Sequence, residues 1–316
     1  MRRLALALAL VALGAAPAHA GDTLRVGKAS PTAFAMLPAV VAAEEGFFKN
    51  HGIDVQIMDF GGGAKMHQAM AAGSLDIGIG SGAELAMVAK GSPELAICNA
   101  AGPPLFIAIA VPFDSPAHKA EDLKGKKIGV SSPNSMTYWM ALQLAKHYGW
   151  GEDGITIVTL GGDTAAIIAA FKTHLVDADI GGSAVAFSME EQKVGRFLIP
   201  VSDYLGNMSS DTVFASKKLI AEHPDDVRAF LAGWFDGVDF MRTHKAETVK
   251  IAQKMTGLDD NVQSREYDQS IPMFSNDGKF DEQSLATLKQ SFIDLKLLDT
   301  VPDLRTTFTE AYLPKR

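Results

Sequence analysis

The chain has 316 residues, 47% of them hydrophobic and 21% charged, with a formal net charge of −8. That is enough apolar sequence for one or two ordinary cores, and an acidic chain without basic clusters argues against a nucleic-acid binder. The single cysteine, Cys98, lies in the apolar run Leu95 to Ala101 and reads as a buried inert thiol rather than a nucleophile.

The first 20 residues carry arginines at positions 2 and 3, an apolar run from Leu4 to Ala16, and Ala18-His19-Ala20 as a small-x-small cleavage site. This is the pattern of a secretory signal peptide, too short in its apolar part to span a membrane. No later apolar run is long enough for a transmembrane helix, so the expectation is a soluble protein outside the inner membrane. Thr23 to Lys28 then predicts a strand, and Ser30-Pro31-Thr32-Ala33-Phe34 a loop at its end. Leu37 to Lys49 predicts a helix stopped by His51-Gly52. Phe34 stands off that helix's apolar stripe, and either lines a cleft or staples the helix start. A strand from Ile53 to Phe60, a glycine turn at Gly61 to Gly63 and a helix from Lys65 to Ala72 follow. Lys65 and His67 belong to a solvated face or to a ligand.

Leu75, Ile77 and Ile79 alternate with Asp76, Gly78 and Gly80 as a strand that breaks into Ser81-Gly82-Ala83 ahead of a helix from Glu84 to Lys90. In an open α/β sheet ligands sit outside the carboxyl ends of the strands. Bare N–H groups and the Ser81 hydroxyl there make either a pocket wall or merely a tight turn. Strands are expected at Leu95 to Ala101 and Leu105 to Val111, with Pro112-Phe113-Asp114-Ser115-Pro116 as a crossing to a second lobe.

The second lobe repeats the first. Val26-Gly27-Lys28-Ala29-Ser30-Pro31 returns as Ile128-Gly129-Val130-Ser131-Ser132-Pro133. Gly52-Ile53-Asp54-Val55 returns as Gly154-Ile155-Thr156-Ile157, and Leu75-Asp76 as Val176-Asp177. A period this long is one α/β lobe duplicated, with loops facing across a cleft. The helix Met136 to Tyr148, opening with Asn134 or Ser135 as N-cap and with Thr137, offers free N–H groups, hydroxyls and a positive dipole end to an anionic oxygen. Tyr138 and Trp139 share its first turn, and spacing does not decide which faces the cleft. Asp163, opening the next helix, is an N-cap or a carboxylate for a cationic or amide group of a ligand. Ser202 to Asn207 predicts the crossing back, and Thr212 to Ala215 the return strand. From His223 onward the pattern is helical, with Val227, Phe230, Leu231, Trp234 and Val238 on one face, and reads as scaffold on the first lobe.

H-E-x-x-H, C-x-x-C, G-x-S-x-G and the phosphate-loop lysine motif are all absent, and the histidines lack metal-ligand spacing. No cofactor or metal is expected.

The duplicated lobe, Glu44 to Val55 (EEGFFKNHGIDV), Gly73 to Gly78 and Leu123 to Val130 (LKGKKIGV) together resemble the periplasmic solute-binding proteins of ABC importers. Within them the chain is similar to the nitrate, sulfonate and taurine binders and to the binders of thiamine-pyrimidine precursors. The resemblance implies an α/β, two-lobed periplasmic binding protein fold of type II, with doubly wound lobes, a hinge and a central cleft. It implies lobe I from 21–112 and 209–316, lobe II from 113–208, and no catalysis. Partners would be a small-molecule solute and an inner-membrane permease with its ATPase; the chain itself would be a periplasmic monomer. The implied ligand residues are Ser30, Thr32, Phe34, Gly62, Ser81, Gly82, Glu84, Ser135, Met136, Thr137, Tyr138, Asp163, Gly182 and Ser183. Glu84 is either a carboxylate for a ligand ammonium or a first-turn glutamate favoured by its helix dipole. No arginine falls in these loops. The alternatives are a binder of a pyrimidine or aromatic precursor, or an enzyme of the same fold such as a pyrimidine synthase or a menaquinone-pathway lyase.

Overall fold

The computed structural model describes residues 23–133, 135–161 and 163–316; the expected leader, Asn134 and Gly162 lie outside the described residues. The first copy runs β1 (Leu24–Lys28), α1 (Leu37–Glu44), α2 (Phe47–Asn50), β2 (Val55–Asp59), α3 (Gly63–Ala71), β3 (Ile77–Ser81), α4 (Leu85–Ala89) and β4 (Glu94–Ala101). The second runs β5 (Ile107–Pro112), β6 (Lys127–Val130), α5 (Met136–His147), β7 (Thr156–Thr159), α6 (Thr164–Lys172), β8 (Ala178–Gly182), α7 (Ser183–Glu191) and β9 (Gly195–Pro200). Then come α8 (Ser202–Leu205), β10 (Asp211–Ser216), α9 (Lys217–Glu222), α10 (Pro224–Thr243), α11 (Lys245–Thr256), α12 (Asp260–Ser270) and α13 (Glu282–Asp294). The expected helix Leu37 to Lys49 is two helices, because Gly46 takes φ 77° and breaks it between α1 and α2.

Two five-stranded sheets have the orders β2-β1-β3-β10-β4 and β7-β6-β8-β5-β9. Position by position they are the same sheet, including a parallel β2–β1–β3 set matched by β7–β6–β8. In each sheet the fourth strand is antiparallel and is delivered by a crossing of the chain: β10, after the second copy, inserts between β3 and β4, and β5, directly after β4, between β8 and β9.

That exchange corrects one boundary. Ile107–Pro112 pairs with β8 and β9, so the chain leaves the first sheet at 102–106, ahead of the expected crossing at Pro112 to Pro116 and of a lobe limit at 112. Ala108, Ile109 and Val111 are buried as a central strand, and Pro112 still pairs with Gly195, so it closes the strand rather than beginning a linker. Between β9 and β10 the chain passes back through 201–210.

α10 fixes the carboxy-terminal helices to the first lobe. Its Phe230 stacks on Phe48 with ring centroids 5.0 Å apart, and a Cβ at Gly237 would come within 2.7 Å of the Pro38 carbonyl, so glycine lets α10 lie directly on α1. Each fully buried aromatic or leucine on this face contributes about 1.5–3 kcal/mol of burial.

The expectation that every later helix is scaffold on the first lobe fails at α12. That helix reaches across to α7: Arg265 pairs with Glu190 at 2.8 Å and stacks over Phe187, and Ser183 donates to Glu266.

Candidate ligand-binding cleft

The loops after β1 and β8, the first turns of α5 and α6, and the approach to β5 meet α11 and α12 around a cavity of about 390 Å3. This is the size range of a small-molecule site. Ser30, Thr32 and Phe34 enter from the first loop. Thr137, Thr164, Gly181 and Gly182 enter from the second copy. Phe34 is buried, edge-on to Tyr267 at 6.5 Å and tilted on Phe274 at 6.0 Å, so it is both a wall of the cavity and anchored to core.

The first turn of α5 is a knot of hydroxyls. Ser135 caps the helix by accepting from the Tyr138 N–H at 3.2 Å; Thr137 Oγ1 lies 2.9 Å from Ser131 Oγ and accepts the Ser131 N–H at 3.0 Å. Ser131 and Ser135 are 3.1 Å apart, which closes the triangle. A hydroxyl has one proton, so a member that turns outward to an anion surrenders one weak mutual bond. The starts of α5, α6 and α7 all border this cavity, through Thr137, Thr164 and the Gly182–Ala184 turn. Three positive dipole ends converge on a site with no lysine, arginine or histidine among its described lining residues.

Among the described residues lining the cavity the one charged side chain is Glu266, on α12 and 2% exposed. Its Oε2 accepts from Ser183 at 2.5 Å and its Oε1 from Ser270 at 2.8 Å. Burial pushes its carboxyl up to about 7, against the two hydroxyl bonds that favour the charged form.

Other expected site residues are placed elsewhere. Ser183 is buried and faces Glu266. Met136 packs half-buried against the main core. Asp163 is an exposed N-cap, accepting from the Ala166 N–H. Gly62 sits behind the first loop, its N–H donated to the Ala29 carbonyl at 2.8 Å. Tyr138 opens onto a separate groove of about 650 Å3 shared with Gln143, Lys146 and Asp294, while Trp139 is buried with its indole N–H on Asp294. Neither aromatic enters the cavity.

Ser81, Gly82 and Glu84 do not line the cavity either. Glu84 folds back to accept from the Ser81 N–H at 3.1 Å and reaches His67 Nε2 at 2.8 Å, while Glu94 holds His67 Nδ1 at 2.7 Å. His67 is therefore not on a solvated face. Burial opposes its charge, but the hydrogen bonds and negative charge of Glu84 and Glu94 outweigh that and raise it to about 9. Asp211, also buried, is pushed well above the carboxylate range by burial and by Glu84. Gly82 is pinned against the return segment: a Cβ there would meet the Ser209 carbonyl oxygen at 2.1 Å.

The sequence reading missed Phe106, Ile107, Thr164, Ala184, Val185, Ser188, Thr256, Leu258, Gln263 and Glu266. One signal was available. Gln263, Glu266, Tyr267 and Ser270 recur at helical spacing in a segment otherwise rich in charge, and all four are buried.

The NMT1/THI5-like family profile matches residues 33–248. The chain belongs to this family. It is 29% identical over 259 residues to a putative binding protein of Brucella abortus, covering 81% of this chain and 78% of that one. It is 31% identical over 203 residues to the taurine-binding periplasmic protein of Escherichia coli, covering 63% and 61%. A 4-amino-5-hydroxymethyl-2-methylpyrimidine phosphate synthase of Saccharomyces cerevisiae matches at 23% over 257 residues, covering 76% and 73%. Among solved structures, the periplasmic aliphatic sulphonate binding protein SsuA from Escherichia coli superposes with a TM-score of 0.76 at 20% identity, covering 91% of this chain and 97% of that one. The fold is thus that of the periplasmic binding proteins, as the resemblance implied. Among the described residues no helix is long and apolar enough to cross a membrane, and no cluster of histidine, cysteine and carboxylates has metal-binding geometry.

Proposed function

We propose that this chain is the extracytoplasmic solute-binding subunit of an ABC importer. It captures a small organic solute with a sulfonate-like anionic group, and its two lobes close on the solute about the crossings at 102–106 and 201–210. The observation that carries the reading is the cavity itself: three helix starts and the Thr137 hydroxyl converge on a pocket of solute size between two copies of one sheet. On this reading lobe I ends at 101 and resumes at 211, and the ligand contacts are Ser30, Thr32, Phe34, Thr137, Thr164 and Gly182. The taurine- and sulphonate-binding relatives support the ligand class.

The synthase relative supports a second reading, capture or turnover of an aminopyrimidine. Calorimetric titration with alkanesulfonates, aminosulfonates, carboxylates, nitrate and aminopyrimidines separates the two. The first reading expects binding by a sulfonate or carboxylate and its weakening in Thr137→Val. Binding confined to aminopyrimidines, or none across the panel, overturns it.

A further inference from the structure

We propose that Glu266 sets the specificity of the cleft by receiving a protonated amine, so that the solute is a zwitterion rather than a simple anion. This rests on the cleft-capture reading above and narrows its ligand class.

Glu266 is the only charged side chain among the described residues lining the cavity. Both of its oxygens accept hydroxyl protons, from Ser183 and Ser270, and the 2.5 Å Ser183 contact has the length of a charge-assisted bond. Serine supplies one proton to each oxygen, which suits an ionised carboxylate and leaves a lone pair free on each. A buried carboxylate stays ionised at lower cost when a cation meets it. The adjacent arginine does not serve: Arg265 is committed to Glu190 at 2.8 Å and lies over the Phe187 ring. The remaining described lining groups are hydroxyls, amides and apolar side chains, so a counter-charge at this carboxylate is one that the ligand brings.

The same charge disfavours a plain anion. Three dipole ends attract negative charge to the cavity while Glu266 repels it, and one solute satisfies both only by carrying an ammonium at one end and an acid group at the other. Ser183 couples the two ends. Its N–H is held by the Phe106 carbonyl at 2.9 Å and its hydroxyl by Glu266, so the start of α7 and the carboxylate are fixed relative to each other.

The test compares matched probes by calorimetry at pH 8: 2-aminoethanesulfonate against ethanesulfonate, and 3-aminopropanoate against propanoate. The expected result is that the aminated member binds at least tenfold tighter in at least one pair. Glu266→Gln should remove that gap by weakening the aminated probe while leaving the other within twofold. Equal binding within both pairs by the wild-type protein overturns the proposal and leaves the anion-capture reading standing, as does a gap that survives in Glu266→Gln. Silence from all four probes overturns both. The wild-type comparison needs no variant, and a melting curve of Glu266→Gln shows that the variant is folded.

Discussion

Replacing His67 with glutamine removes the one cation from a buried acidic cluster, and the structure sets the size and the pH dependence of the loss. Each imidazole nitrogen lies within 2.8 Å of a carboxylate oxygen, so both must carry protons and the ring is an imidazolium. Its raised value of about 9, against the ordinary 6.5, corresponds to about 3 kcal/mol at roughly 1.4 kcal/mol per pH unit. Because the folded value is raised, this contribution is complete below about pH 6.5 and disappears as the pH rises through about 9. Glutamine reaches one glutamate only. The other is left unpaired, with Glu94 at 0% exposure, and breaking a buried pair in this way costs about 3–5 kcal/mol near neutrality. Urea unfolding at pH 6, 7, 8, 9 and 10 measures the effect. The expected result is a stability gap between wild type and His67→Gln that is widest at pH 6–7 and has closed by about 3 kcal/mol at pH 10. Parallel curves across that range would refute a charged His67.

Glu266 has the same sign of shift in a group that becomes charged at high pH. Its value of about 7, against an ordinary 4.5, makes the ionised form costly above pH 7. Glu266→Gln should therefore stabilise the ligand-free protein by about 2–3 kcal/mol at pH 8, with the gain vanishing near pH 4; thermal melts at both pH values check it. Gly82→Ala should destabilise by about 1–3 kcal/mol in urea titration, because the added methyl would overlap the Ser209 carbonyl, which belongs to backbone bound at both sides. Thr137→Val keeps the shape of the α5 start and removes a hydroxyl from the cavity. Solute affinity should fall about tenfold, as read by calorimetry, and the unfolding midpoint should drop as well, because the Ser131 N–H loses its acceptor at a cost of about 1–3 kcal/mol.

The duplication was legible because the repeated turns are the parts of the sequence that tolerate least: Gly27 and Gly129 occupy equivalent strand positions, where a Cβ would in each case come within 2.6 Å of a neighbouring leucine. The point of crossing was harder to read. β5 is an apolar run like β4, and nothing local to Ile107–Pro112 says which sheet it joins; that is decided by pairing with β8 and β9, far away in sequence. The residue types of the Ser81–Glu84 turn suit a pocket wall as well as a tight turn. Its glutamate instead turned inward, since His67 on α3 supplied a buried partner that no spacing rule reveals. Glu266 went unread for the converse reason: α12 looks like a solvated helix until α7 of the other copy is laid against it.

The central claim is that the rims of the two sheets enclose the solute. A crystal structure of the protein with the tightest-binding probe tests it most directly. The account predicts density in the cavity between Ser30–Phe34 and Thr137–Gly182, within hydrogen-bond distance of Thr137. A ligand seated in the outer groove between Tyr138 and Asp294 contradicts it.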